Sequence, residues 1–103
     1  MNYPTITSKI IRPSNVIITA AKLFDKPQKI IRGSSRRASV VAIRDLCFKV
    51  CKDHLFMSDR EIALAFGKER SSVTIALMRV NKNLAKRNQY QVMLAELEKE
   101  LEL

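Results

Sequence analysis

The stretch "SDREIALAFG", residues 58–67, leaves a chain little freedom. Ser58 followed three residues later by Glu61 is a capping box. The hydroxyl takes the amide of the third helical residue, and the carboxylate reaches back to the amide of the cap. Gly67 suits the residue that ends a helix. A short helix to Phe66, burying Ile62 and Phe66, is therefore expected. A second helix over about 71–86 turns Val73, Ala76, Leu77, Val80 and Leu84 to one side. A short helix, a tight turn and an amphipathic second helix make a helix-turn-helix, although a plain helical hairpin would share the pattern.

The remaining chain reads as helical too. Residues 1–13 are expected to form a basic extended arm or linker, with Pro4 and Pro13 opposing helix. Ser14 then serves as an N-cap for "NVIITAAKLFD", whose Ile17, Ala20, Ala21 and Phe24 share a face. "KPQKIIRG" reads as a short helix with Pro27 near its first turn and Gly33 beyond its end. "SSRR" at 34–37 is a basic loop. The longest helix is expected at about 38–56, with Val40, Ile43, Cys47, Val50, Cys51 and His54 on one face. A last helix over about 89–101 carries Val92, Leu94, Leu97 and Leu101. No β-alternation or internal repeat is present. The expected fold is all-α: one compact helical domain over 14–103, with its helix-turn-helix at about 58–86.

Charge narrows the function. The chain holds 19 Lys and Arg against 10 Asp and Glu, a formal charge of +9. Residues 1–90 carry 18 basic and 6 acidic side chains (+12), and residues 91–103 carry one and four (−3). Such a basic body attracts phosphate polymers at long range. No segment combines a basic face with an aromatic one, so nucleic acid is favoured over a membrane surface. Few aromatics are available to stack bases, which favours duplex DNA over RNA.

Other chemistries are disfavoured. Two glycines, Gly33 and Gly67, cannot build a Gly-rich phosphate loop, so use of ATP or NAD is not expected. Cys47, Cys51 and His54 share a helix face, but a structural zinc wants a fourth ligand that nothing local supplies. Cys47 and Cys51 are also one turn apart, an awkward spacing for a disulfide. Ser39, Asp45 and His54 offer no convincing nucleophile–base spacing. The reading is a non-enzyme with no cofactor, metal, membrane or small-molecule partner. The N-terminus lacks a signal-peptide core and no apolar run reaches membrane length, so a cytoplasmic, nucleoid-associated protein is expected.

In a helix-turn-helix, the first residues of the second helix face base edges in the major groove. Here these are Glu69, Arg70, Ser71 and Ser72. Arginine can pair bidentately with guanine, a carboxylate can accept from cytosine, and hydroxyls can bond bases or phosphates. The free amides of the first turn also favour a phosphate. Thr74, Ile75, Met78, Arg79 and Lys82 are expected outward on the same helix.

The run "REIALAFGKERSSVTIAL" resembles the signature of the C-terminal DNA-binding domain (domain IV, a Trp-repressor-like helix-turn-helix) of the bacterial chromosomal replication initiator DnaA. That family carries Glu-Ile, Ala-Phe-Gly-Gly, then Arg-Asp-His-Ser-Thr-Val. Glu61-Ile62 and Ala65-Phe66-Gly67 match, and with one glycine deleted "KERSSV" overlays the rest. Upstream, "SSRRASVVAIRDLCFKVCKDHL" and "NVIITAAKLFDKPQKIIRG" parallel the family's basic loop, long helix and opening helix, so the resemblance covers about 14–103.

The resemblance implies that Glu69, Arg70, Ser71 and Ser72 read bases in the major groove and Arg36 enters the adjacent minor groove. Lys52 and Arg60 lie beside phosphates; Arg37, Lys68 and Arg79 are further expected phosphate contacts. The family's histidine is Arg70 here, its second glycine is absent, its Arg-Gln pair in the long helix is Arg44-Asp45, and its ATPase module is missing from this sequence. The function implied is sequence-specific binding of double-stranded DNA by a stand-alone domain, in replication-origin recognition or its regulation. A Trp-repressor-like transcriptional regulator, or a protein-interaction module that kept the fold and binds the initiator or its partners, are the alternatives.

Overall fold

The computed structural model describes residues 11–103, and six helices occupy them: α1 (Pro13–Leu23), α2 (Gln28–Arg32), α3 (Ala38–His54), α4 (Asp59–Phe66), α5 (Arg70–Lys86) and α6 (Asn88–Glu100). There is no strand among the described residues, so the chain is all-α. Most of the expected N-terminal arm, residues 1–10, lies outside them.

The helix limits follow local chemistry. In α4, Ser58 Oγ accepts the Glu61 amide at 3.1 Å, while Glu61 Oε1 accepts the Ser58 amide at 2.8 Å, closing the capping box. Gly67 then adopts the left-handed conformation (φ 63°), and the Lys68 amide reaches back to the Ala63 carbonyl at 2.9 Å. No atom stands within 4 Å of where a Gly67 Cβ would lie, so Gly67→Ala meets only the backbone penalty. It should lower stability by about 1–2 kcal/mol in urea unfolding; an unchanged midpoint would show that the turn does not need a left-handed residue.

The start of α1 departs from expectation. Pro13 is its first residue and Arg12 its cap, with Asn15 Oδ1 accepting the Arg12 amide at 2.9 Å. Proline suits this place because its missing N–H would have been unpaired and its φ is already helical. Ser14 is therefore inside the helix rather than its cap. Pro27 sits at the N-cap of α2, beside its first turn as expected.

α3 is the axis of the molecule: α1, α2, α4, α5 and α6 all pack on it. Its buried residues include Val40, Ala42, Ile43, Leu46, Cys47, Phe48, Val50 and Cys51, far more than the one stripe expected from periodicity. A helix enclosed on most sides needs apolar residues on most sides. His54 is only half-buried, and its Nε2 lies 2.6 Å from Glu98 Oε2 on α6. On α6 the inward stripe is Tyr90, Met93, Leu94 and Leu97, continued by Leu101 just past its end, whereas Val92 is exposed. Ala21, Phe24 and Leu84 pack at the core's margin rather than inside it. Phe66 meets Phe48 with ring centroids 5.2 Å apart, and Arg32 covers its ring at 5.6 Å.

Cys47 and Cys51 are buried free thiols. Burial pushes both upward, Cys51 to about 12, and the neighbouring Cys51 sulfur adds to the rise at Cys47. Because the thiolate is the nucleophile, a disulfide reagent should label neither at neutral pH until the chain unfolds. Rapid labelling of native protein would contradict that burial. No described helix is long and apolar enough to cross a membrane.

Candidate nucleic-acid interface

Three polar ties organise the surface around α5. Lys68, in the turn between α4 and α5, donates its Nζ to the Gly33 carbonyl at 2.6 Å. That bond brings the basic loop 34–37 beside the first turn of α5. Arg44 on α3 fixes the same loop from behind, donating to the carbonyls of Ile31 (2.7 Å), Ser35 (3.0 Å) and Ile30 (3.3 Å). Next to it, Asp45 is only 1% exposed and accepts two bonds from Arg79 of α5, at 2.7 and 2.9 Å. The adjacent pair Arg44-Asp45 thus holds the loop with one side chain and α5 with the other.

The N-terminal part of α5 is also tied through Asp59, the first residue of α4. It accepts Lys52 Nζ from α3 at 2.8 Å and the Thr74 hydroxyl from α5 at 2.6 Å. These two bonds hold its carboxyl below the usual range, with the charges of Lys52 and Arg70 adding to the effect.

On this frame Glu69, Arg70, Ser71 and Ser72 are all exposed, Glu69 as the residue before α5 and the other three in its first turn. Glu69 makes no side-chain cap. Arg36 and Arg37 are exposed in the loop, and Arg60 is exposed in the first turn of α4. Ile75, Met78 and Lys82 face outward as expected, Ile75 and Met78 being 58% and 67% exposed.

Two outward placements need correction, those of Arg79 and Thr74. Arg79 is not simply outward: its guanidinium is committed to Asp45, because a buried carboxylate takes the nearest cation. Thr74 is half-buried and bonds Asp59. Lys52 is exposed but ion-paired with the same carboxylate, and Lys68 donates to a carbonyl. Among the described residues, exposed cations with no side-chain carboxylate bonded include Arg36, Arg37, Arg60, Arg70 and Lys82.

The structural roles of Arg44 and Asp45 were not foreseen. A signal existed: Asp45 is the single acid inside the apolar run "VVAIRDLCFKVC", where a charge needs a partner of opposite sign. Among the described residues no group of three or more His, Cys, Asp or Glu side chains is placed to share a metal ion. No known protein-family model matches the chain, and no curated protein matches it significantly.

Proposed function

We propose that this chain is a sequence-specific double-stranded DNA-binding domain of the helix-turn-helix class, similar to the C-terminal domain of DnaA. α4 and α5 form the helix-turn-helix. The first turn of α5 enters the major groove, with Glu69, Arg70, Ser71 and Ser72 at base edges. Arg36 enters the neighbouring minor groove, where arginine favours narrow A/T-rich tracts. Arg37, Lys52, Arg60 and Lys68 lie along phosphates, and Arg79 contributes charge from its place beside Asp45. The observation that supports the reading is the Lys68–Gly33 bond: it ties the turn before α5 to the residue that opens the exposed basic loop, so the two segments proposed to read DNA lie side by side.

The resemblance favours a role at replication origins or in their regulation, with transcriptional regulation as the alternative. Selection of duplexes from a random pool tests base reading directly. Enrichment of a common sequence is expected, and a pool that stays random would contradict it. On the selected duplex, Arg37→Ala should weaken preferred and scrambled DNA alike and lower the salt slope by about 1; a loss confined to the preferred duplex would make Arg37 a base reader instead.

A second reading draws on the exposed Ile75 and Met78. A protein, the initiator or one of its partners, could dock on the same face. Binding to a protein that persists at high salt, with no duplex affinity, would favour it.

A further inference from the structure

Between the basic loop and α5 lies a notch of about 200 Å³, floored by Phe48 and Ala76 and lined by the polar side chains of Ser34, Arg44, Asp45, Lys68, Ser72 and Arg79. Its charges do not balance. Three cations face one carboxylate, and Asp45 is fully engaged by Arg79. Arg44 and Lys68 hydrogen-bond only to backbone carbonyls, those of Ile30, Ile31 and Ser35 for the first and Gly33 for the second. Two partly enclosed positive charges are thus held together with backbone dipoles as their hydrogen-bond partners, and Asp45 acts on Arg44 only through its field. Burial and the charge of Arg44 make the Lys68 ammonium less basic. Ser34 and Ser72 add hydroxyls from the two walls.

An arrangement of this kind is improved by an anion entering from solvent. We propose that the notch seats one phosphate group, supplied by the DNA strand that separates the two grooves being read. This placement of the phosphate rests on the DNA-binding reading above. If α5 occupies a major groove and the loop the adjacent minor groove, the sugar–phosphate strand between those grooves must cross between α5 and the loop, and the notch is where it crosses. Ser34 and Lys68 contact the phosphate, beside Ser72 of the reading turn; Arg44 supplies field from behind while holding the loop, a positioning residue. One seated phosphate therefore fixes the register of both reading elements.

Two measurements on the full chain test this. In the first, amide and Lys68 side-chain resonances are followed while inorganic phosphate is added. Shifts centred on Ser34, Lys68 and Ser72 that disappear in Lys68→Met are expected. In the second, each phosphate of the selected duplex is replaced in turn by a neutral methylphosphonate. One position on the inter-groove strand should cost about tenfold in affinity, the order of one charge-assisted hydrogen bond, and Lys68→Met should be insensitive at that position alone. A duplex that binds well with no such position overturns the seat. Phosphate shifts without duplex binding retain the seat and overturn DNA as its source, together with the DNA reading. Absence of both phosphate shifts and duplex binding overturns both. The methylphosphonate scan of the unaltered chain needs no substitution, so poor folding of Lys68→Met would not protect the proposal.

Discussion

Arg79→Met will destabilise the chain by about 3 kcal/mol at neutral pH, the lower end of the range for breaking a buried ion pair from one side. The lower end applies because the Arg79 side chain is 46% exposed and water can reach its end of the pair. The loss arises at Asp45, whose carboxylate is enclosed and would keep no cation bonded to it. Burial already raises the Asp45 carboxyl above its usual value, and the bonds and charge of Arg79 pull it down. Without Arg79 it rises further. A carboxyl with a raised folded value binds more protons folded than unfolded, so its penalty grows as pH rises through that value and fades below the unfolded value. The deficit of Arg79→Met should therefore be large near pH 7 and shrink near pH 4.5. Urea unfolding at the two pH values checks this. An equal deficit at both would mean that Asp45 is not ionised in the native chain. The double change Asp45→Leu with Arg79→Met should recover most of the loss, since an apolar pair of similar volume removes the uncompensated charge.

Arg70→Ala will leave stability nearly unchanged and reduce affinity for the selected duplex by about 1–3 kcal/mol, relaxing one base position. The two effects separate because Arg70 is exposed in the first turn of α5 and contributes nothing to the core. Alanine removes the guanidinium without disturbing Val73, Ala76 or Leu77, which anchor that helix. Competition between selected and scrambled duplexes is the measurement. A loss equal on both would make Arg70 a phosphate contact, and base reading would then rest on Glu69, Ser71 and Ser72.

The sequence was most legible where a local rule acts within a few residues. Ser58, Glu61 and Gly67 define α4 because each bonds or bends the backbone at its own position. α2 is bracketed by Pro27 and Gly33 for the same reason. Helix ends without such punctuation were placed by apolar spacing alone, and those of α3, α5 and α6 fall within two residues of the expected ones. Asp25, Phe56 and Glu102 adopt positive φ without being glycine, an arrangement that composition does not announce. Periodicity also underestimated α3, since a single stripe describes a helix covered on one side and α3 is covered on most. For the interface, exposure of the first turn of α5 and of Arg36 and Arg37 followed from position. The fate of individual cations did not. Arg79 lies 34 residues from Asp45 and Lys68 lies 35 from Gly33, so both bonds depend on how α3 is packed and not on any local pattern. The bonds of Arg79, Lys68 and Lys52 share this cause: each long cationic side chain finds an acceptor within the fold that its own sequence neighbourhood does not announce.

Fluorescence anisotropy of the purified chain across a salt series tests the central claim most directly, using three duplexes: the selected sequence, its scramble, and the box bound by the DnaA family. The account predicts binding to all three at low salt, with log affinity falling by about 0.9 per phosphate neutralised as log salt rises. It also predicts a clear preference for the selected duplex that persists as salt increases. Absence of binding to every duplex at low salt would contradict the account and assign the exposed face of α5 to a protein partner.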